Sequence, residues 1–230
     1  MAVERKVDIV FCIDGTGSMY GVIDSVKENA KRFYQEVANA VLENNSTISS
    51  LRIKLITFRD YGCDADAMVE TDFFELPEDQ DLFEAELAKI DPHGGGDTPE
   101  NGLEALYYAM KSDFYTGNKD RQVICLFTDT DALDLRARIG QGSYPDDMVD
   151  MKGLQTLWVS GASQQAGDGD VKLREKCKRM IIFAPSGTKY ETLSTQLNRV
   201  IFQHVAEDKG LSDVSFDSIV RTIAASVSSI

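Results

Sequence analysis

Three short stretches carry oxygen-bearing side chains that could act on one ligand. The first is Asp14-Gly15-Thr16-Gly17-Ser18, which follows the apolar run Val7 to Ile13 without a break. The second is Asp97-Thr98, directly behind three consecutive glycines at 94–96. The third is Asp129, with Asp131 close by, which follows the apolar run Arg121 to Thr128. No cysteine pair joins them, and neither does His93 or His204. An all-oxygen set with few carboxylates suits Mg²⁺, with Mn²⁺ or Ca²⁺ as substitutes, and does not suit zinc. Two carboxylates cannot fill an octahedral shell. Hydroxyls and waters must help, which leaves a position for an external ligand.

The elements around these stretches follow from apolar spacing. After Asp14, apolar residues recur at Met19, Val22, Ile23, Val26, Ala30, Phe33, Val37, Ala40 and Val41. Steps of three and four predict one long amphipathic helix, ended by Asn44-Asn45-Ser46. Leu51 to Phe58 and Met68 to Leu76 predict two strands. The link between them is too short for a helical crossover, so the pair is expected to be antiparallel, with the second at the sheet edge. A short helix is expected over Gln80 to Lys89. Thr98 or Asp97 is expected to cap the next helix, with Pro99 at its first position. Arg121 to Thr128, Arg179 to Ala184 and Val200 to Val205 predict further strands. Asp147 to Val159, Tyr190 to Leu197 and Phe216 to Val227 predict helices, and Gly161 to Asp170 a loop.

Strands alternating with helices predict an α/β fold. The expectation is a doubly wound, mostly parallel central sheet of about six strands with one antiparallel edge strand and helices on both faces. The 230 residues are expected to form one domain, with 131–178 as its variable region. Ligands of such sheets bind beyond the carboxyl ends of the strands, where all three stretches above would lie.

Bulk composition narrows the function. A formal net charge of −14 argues against nucleic acid and against anionic lipid, and suits cations or basic protein surfaces. The four cysteines lie far apart in sequence, and Cys12 and Cys125 fall in apolar strands, as reduced packing residues do. The N-terminus lacks the apolar core of a leader, and no run is long enough for a membrane span, so a cytoplasmic protein is expected.

Several tempting signals carry less. Gly15-x-Gly17 resembles a dinucleotide loop, but Asp14 would repel a pyrophosphate. Asp14-Gly15-Thr16 also matches the end of a D-x-D-G-T phosphatase motif, with buried Cys12 where that chemistry needs its nucleophile. His93 reads as a surface-loop residue and His204 as structural. Asp60, Asp64 and Asp66 read as a solvated acidic loop. No base stands beside a nucleophile, so an enzyme is not expected. The alternative is a metal-dependent phosphohydrolase using Asp14 and Asp129.

The pattern is similar to the von Willebrand factor A (vWA) domain with its metal-ion-dependent adhesion site. That family carries D-x-[ST]-G-S after the first strand, a threonine in a later loop and an aspartate after the fourth strand. Asp14-Gly15-Thr16-Gly17-Ser18, Thr98 and Asp129 match it. The resemblance implies that Thr16, Ser18 and Thr98 contact Mg²⁺ directly or through water, and that Asp14 and Asp129 act largely through water. It implies a protein partner whose carboxylate, or another oxygen ligand, completes the coordination. Thr16 in place of the more usual serine, and the stretch GGGDTPENGLEAL, resemble intracellular stand-alone vWA proteins such as those associated with tellurite resistance. The implied function is that of an adaptor or scaffold in an intracellular complex. One departure is Asp129-Thr130-Asp131-Ala132 where many members have TDG; Asp131 is expected to add negative charge near the ion.

Overall fold

β1 (Val3–Asp14) is apolar on both faces from Ile9 to Ile13, as a central strand must be. A 3-10 turn, Gly17–Met19, leads into α1 (Tyr20–Glu43). Then come β2 (Ser46–Phe58), β3 (Met68–Glu70), β4 (Phe74–Leu76), α2 (Gln80–Lys89) and α3 (Gly102–Met110). The chain continues through β5 (Arg121–Phe127), α4 (Met151–Ser160), β6 (Lys178–Ala184), α5 (Lys189–Gln196), β7 (Val200–His204) and α6 (Phe216–Ser228). The computed structural model describes residues 3–94, 99–161, 171–205 and 215–228; for Gly21, Val22, Ser25, Val26 and Lys31 only the backbone is described.

The sheet order is β3-β2-β1-β5-β6-β7, with β4 also paired to β2. β1, β2, β5, β6 and β7 are parallel, and β3 and β4 run antiparallel to β2. Odd-numbered residues of β1 (Val7, Ile9, Phe11, Ile13) pack under α1, α2 and α6. Even-numbered ones (Val10, Cys12) pack under α3, α4 and α5. The doubly wound α/β expectation therefore holds. Among the described residues no helix is long and apolar enough to cross a membrane.

Three expectations are corrected. The single strand Met68 to Leu76 is split. Ile56 pairs Glu70 and Ile53 pairs Phe74, so two residues of β2 face three of the other chain. The extra residue is a bulge, a common device at a sheet edge. Thr71 fills the gap in the ladder, accepting from Leu55 N through its hydroxyl and donating its own N–H to Leu55 O. The helix expected from Pro99 starts only at Gly102, because Glu100 is held in a bridge with Ala132. Leu133 N donates to Glu100 O at 2.8 Å, which keeps that stretch extended. The helix expected from Asp147 starts at Met151, where the Asp150 side chain caps it by accepting from Gly153 N. Beyond Gly161, the loop expected to Asp170 lies outside the described residues.

Candidate metal centre

Strand order creates the site. β1 has β2 on one side and β5 on the other, so the connections leaving β1 and β5 diverge and open a crevice at the carboxyl edge. Ile13 pairs Phe127 in register, which brings Asp14 level with Thr128 and places Asp129 just beyond.

Asp14 is fully buried. Its Oδ1 accepts from the Thr16 backbone N at 3.0 Å and from the Thr16 hydroxyl at 2.6 Å. Its Oδ2 accepts from the Thr128 hydroxyl at 2.7 Å. On the solvent side, the Ser18 hydroxyl donates to Asp129 Oδ1 at 3.0 Å. Thr16 Oγ1 and Ser18 Oγ stand 3.2 Å apart. Met19, fully buried at the end of the 3-10 turn, anchors the loop that presents both hydroxyls.

This donor set fits a hard divalent cation. A hydroxyl has one proton and two lone pairs. Thr16 has Asp14 to give its proton to, and Ser18 has Asp129. The two oxygens then face each other with lone pairs only, backed by two carboxylates. The electrostatics point the same way. Burial pushes the Asp14 carboxyl up to about 6; hydrogen bonds from Thr16 and Thr128 oppose the rise, and Asp129 adds to it. Among the described residues no lysine, arginine or histidine forms an ion pair with Asp14 or Asp129. Neighbouring carboxylates of this kind call for a positive charge from outside the chain.

Asp14, Thr16, Ser18 and Asp129 thus lie together at the carboxyl edge of the sheet. Thr98, with Asp97, lies outside the described residues. Asp131 is not part of the cluster. Its Oδ1 accepts from Ala132 N and Lys189 N, both at 2.8 Å, and its Oδ2 is 3.8 Å from Lys189 Nζ. Its carboxylate serves the N-terminus of α5, where the helix dipole favours it. Asp131 thus accepts its hydrogen bonds from α5 and from its own loop, while it lines the same cleft as Asp129. The expected solvated acidic loop is corrected: Asp60 is fully buried and held by Arg138, whose Nε donates to Oδ1 at 2.6 Å. His93 is half-exposed on its loop, as expected. His204 ends β7 in the open, with Nδ1 2.9 Å from the Ser186 hydroxyl.

Two residues at the site escape a motif reading, Thr128 and Arg59. Thr128 is recoverable from register alone, since it stands beside Asp14 once the two strand ends are aligned. Arg59 follows Phe58, the residue paired with Asp14 on β2, and its guanidinium reaches the Gly15 carbonyl. A cleft of ≈ 310 Å³, lined by Asp129, Thr130, Asp131, Ser186, Gly187 and Thr188, opens beside Asp129.

A family model for the von Willebrand factor A domain matches residues 8–139. Among solved structures, the chain is similar to the pilus adhesin SpaC from Lactobacillus rhamnosus GG. The TM-score is 0.53 at 13% identity, over 97% of this chain and 31% of that one. It is also similar to a von Willebrand factor type A protein from Catenulispora acidiphila. There the TM-score is 0.50 at 11% identity, over 97% of this chain and 43% of that one. The chain thus spans less than half the length of either structure, and the likeness is one of fold. No curated protein matches it by sequence. The match over 8–139 takes in β1, its oxygen-rich turn, β5 and Asp129, and it shows that the chain belongs to the von Willebrand factor A domain family.

Proposed function

We propose that this chain is an Mg²⁺-dependent protein-binding module, not an enzyme, that acts as an adaptor or scaffold in the cytoplasm. The proposed setting is a stress or tellurite-resistance type of system. The observation that carries the reading is the asymmetry of the site. Asp14 and Thr16 are buried, whereas Ser18 is exposed and Asp129 only partly covered. A purely structural ion would be enclosed on all sides; this one would be open on one. Thr16, Ser18 and Asp129 would hold the ion, with Asp14 behind them and Thr98 as a further candidate. When bound, Mg²⁺ supplies a Lewis-acid position for an oxygen ligand, and a carboxylate on a partner protein is the ligand of choice. Mn²⁺ or Ca²⁺ would substitute.

The surroundings suit a protein ligand. Tyr20, at the start of α1, is largely exposed two residues from Ser18. Exposed tyrosines beside a polar centre are frequent anchors of interfaces. The cleft beside Asp129 gives room for the residues flanking a partner's carboxylate. The phosphohydrolase alternative is the weaker one, because Asp14 is fully buried with both oxygens hydrogen-bonded and is not placed to attack a phosphoester, so that reading would need a metal-activated water as its nucleophile.

The test is affinity capture from cytoplasmic extract on the immobilised chain. The reading expects a specific protein retained in Mg²⁺, released by EDTA and absent with Asp14→Asn. Retention indifferent to EDTA, or phosphoester turnover lost in Asp14→Asn, would overturn it.

A further inference from the structure

Arg59 sits beneath the metal loop with its side chain only 3% exposed. Its guanidinium gathers acceptors from three separate stretches of chain. Nε donates to Gly15 O at 3.0 Å and, more weakly, to His93 O at 3.3 Å. Nη1 donates to Asp66 Oδ2 at 3.0 Å and to Asp66 O at 3.3 Å, and Nη2 to Asp91 O at 3.0 Å. Gly15 O also accepts from His93 N at 3.2 Å, and Gly15 N donates to Phe58 O at 2.9 Å. The peptide between Asp14 and Thr16 is therefore pinned on both sides. The same guanidinium fixes Asp91 and His93, directly ahead in sequence of the three glycines and Thr98. The Arg59 guanidinium makes no hydrogen bond to the side chains of Asp14, Thr16, Ser18 or Asp129. It acts on where they stand.

Gly15 shows how tight this arrangement is. Its φ is not in the left-handed region, so backbone conformation does not demand glycine there. Space does. A Cβ on residue 15 would lie 2.8 Å from Arg59 Cζ and 2.9 Å from Nη2. The end of a long side chain usually yields to such a clash at small cost. Here yielding breaks the charge-assisted bonds to Gly15, Asp91 and His93 together, which is costly in a buried place. Gly17, two residues on, has open space where its Cβ would stand.

We infer that Arg59 is a positioning residue of the metal centre, clamping the loop of Asp14, Thr16 and Ser18 to the Asp91–His93 stretch, and that residue 15 is glycine to admit its guanidinium. The inference rests on the divalent-cation reading of the site. A planar fork with five N–H donors is needed to hold these acceptors, so lysine, with the same charge, is no substitute.

The test is a double-mutant cycle of Gly15→Ala and Arg59→Lys, with Mg²⁺ affinity read by titration calorimetry and thermal unfolding in EDTA read alongside. Loss of an outer group that orients metal ligands lowers affinity by about 10- to 100-fold. Each single variant is expected to lose affinity on that scale. In the double variant Gly15→Ala should cost little beyond Arg59→Lys, since the clash is gone. A role confined to holding the fold would lower the unfolding temperature in EDTA and leave the affinity of the folded protein alone. Wild type that binds Mg²⁺ while Arg59→Lys binds it equally well overturns the inference and spares the cation reading. Fully multiplicative losses in the double variant overturn the link between Gly15 and Arg59. Should Arg59→Lys not fold, Gly15→Ala decides alone, and unchanged Mg²⁺ affinity in it overturns the inference. Wild type that binds no divalent cation overturns both.

Discussion

Asp8 and Asp14 lie six residues apart on β1, face the same side of the sheet, and are both fully buried. Their surroundings differ in one respect. Asp8 stands in register with Arg52 on β2, which grips it with two parallel hydrogen bonds of 2.8 Å, while Tyr115 N donates to Oδ2 at 2.5 Å. Burial pushes the Asp8 carboxyl up, as it does at Asp14, but here the Arg52 guanidinium and Tyr115 N oppose the rise, and the hydrogen bonds and charge of Asp8 raise Arg52 in turn. Asp14 stands in register with Phe58 and receives only two hydroxyls and one backbone N–H. Asp60, buried as deeply, has Arg138. The fold thus supplies an arginine to buried aspartates that serve structure and supplies none to Asp14. That difference is the physical ground for the proposal that the partner of Asp14 is a cation from outside the chain.

The comparison can be broken at Asp8 first, where the largest effect is expected. Arg52→Leu leaves a buried carboxylate without its cation and should destabilise the fold by about 3–5 kcal/mol. Denaturant unfolding checks it. A loss under 1 kcal/mol would mean that Asp8 does not need its partner, and the contrast with Asp14 would lose its meaning.

At Asp14 the missing partner is expected from outside. Mg²⁺ at 100 times its dissociation constant should stabilise the wild type by about 2.7 kcal/mol and Asp14→Asn not at all. Thermal unfolding with and without MgCl₂ reads this directly.

The metal-free protein sharpens the contrast further. Asp14 is raised from 3.8 to about 6 in the fold, chiefly by burial. Between those values the native state binds more protons than the unfolded chain, so stability falls as pH rises through the window and the full penalty is present by pH 7. Asp14→Asn, which carries no charge, should therefore stabilise the metal-free protein by about 3 kcal/mol at pH 7 and by little at pH 4. Equal effects at the two pH values, in EDTA, would contradict the shift.

The smallest effect concerns Asp131. Its carboxylate caps α5 and takes no part in the ion cluster, so Asp131→Ala should cost about 1 kcal/mol of stability and leave the Mg²⁺ shift unchanged. A weakened Mg²⁺ response in that variant would return Asp131 to the ion.

Much of this arrangement was legible in the sequence, for physical reasons. β1, β5 and β6 are continuous apolar runs because they are covered on both faces, and α1 declares itself by its spacing. Asp14 and Asp129 each close an apolar strand, so their meeting follows once the strands are parallel neighbours. What stayed hidden depends on partners distant in the chain. Asp60 looks like part of a solvated loop until Arg138 is brought to it from 78 residues away. Asp131 looks like a ligand until Lys189 N claims it. The bulge at Thr71 leaves no mark in composition, because Phe73 and Phe74 read as one apolar strand whatever the pairing. Arg59 carries no motif, and only its distances to Gly15, Asp91 and His93 show what it does.

The measurement that tests the central claim most directly is the anomalous diffraction of crystals grown with Mn²⁺, a stand-in for Mg²⁺ that scatters visibly. The account predicts a peak at the cluster of Thr16, Ser18 and Asp129, the residues that would hold the ion, next to buried Asp14. Well-diffracting crystals with no peak there, or with manganese bound only elsewhere, would contradict it and leave Asp14 a buried carboxylate held by Thr16 and Thr128 with no cation.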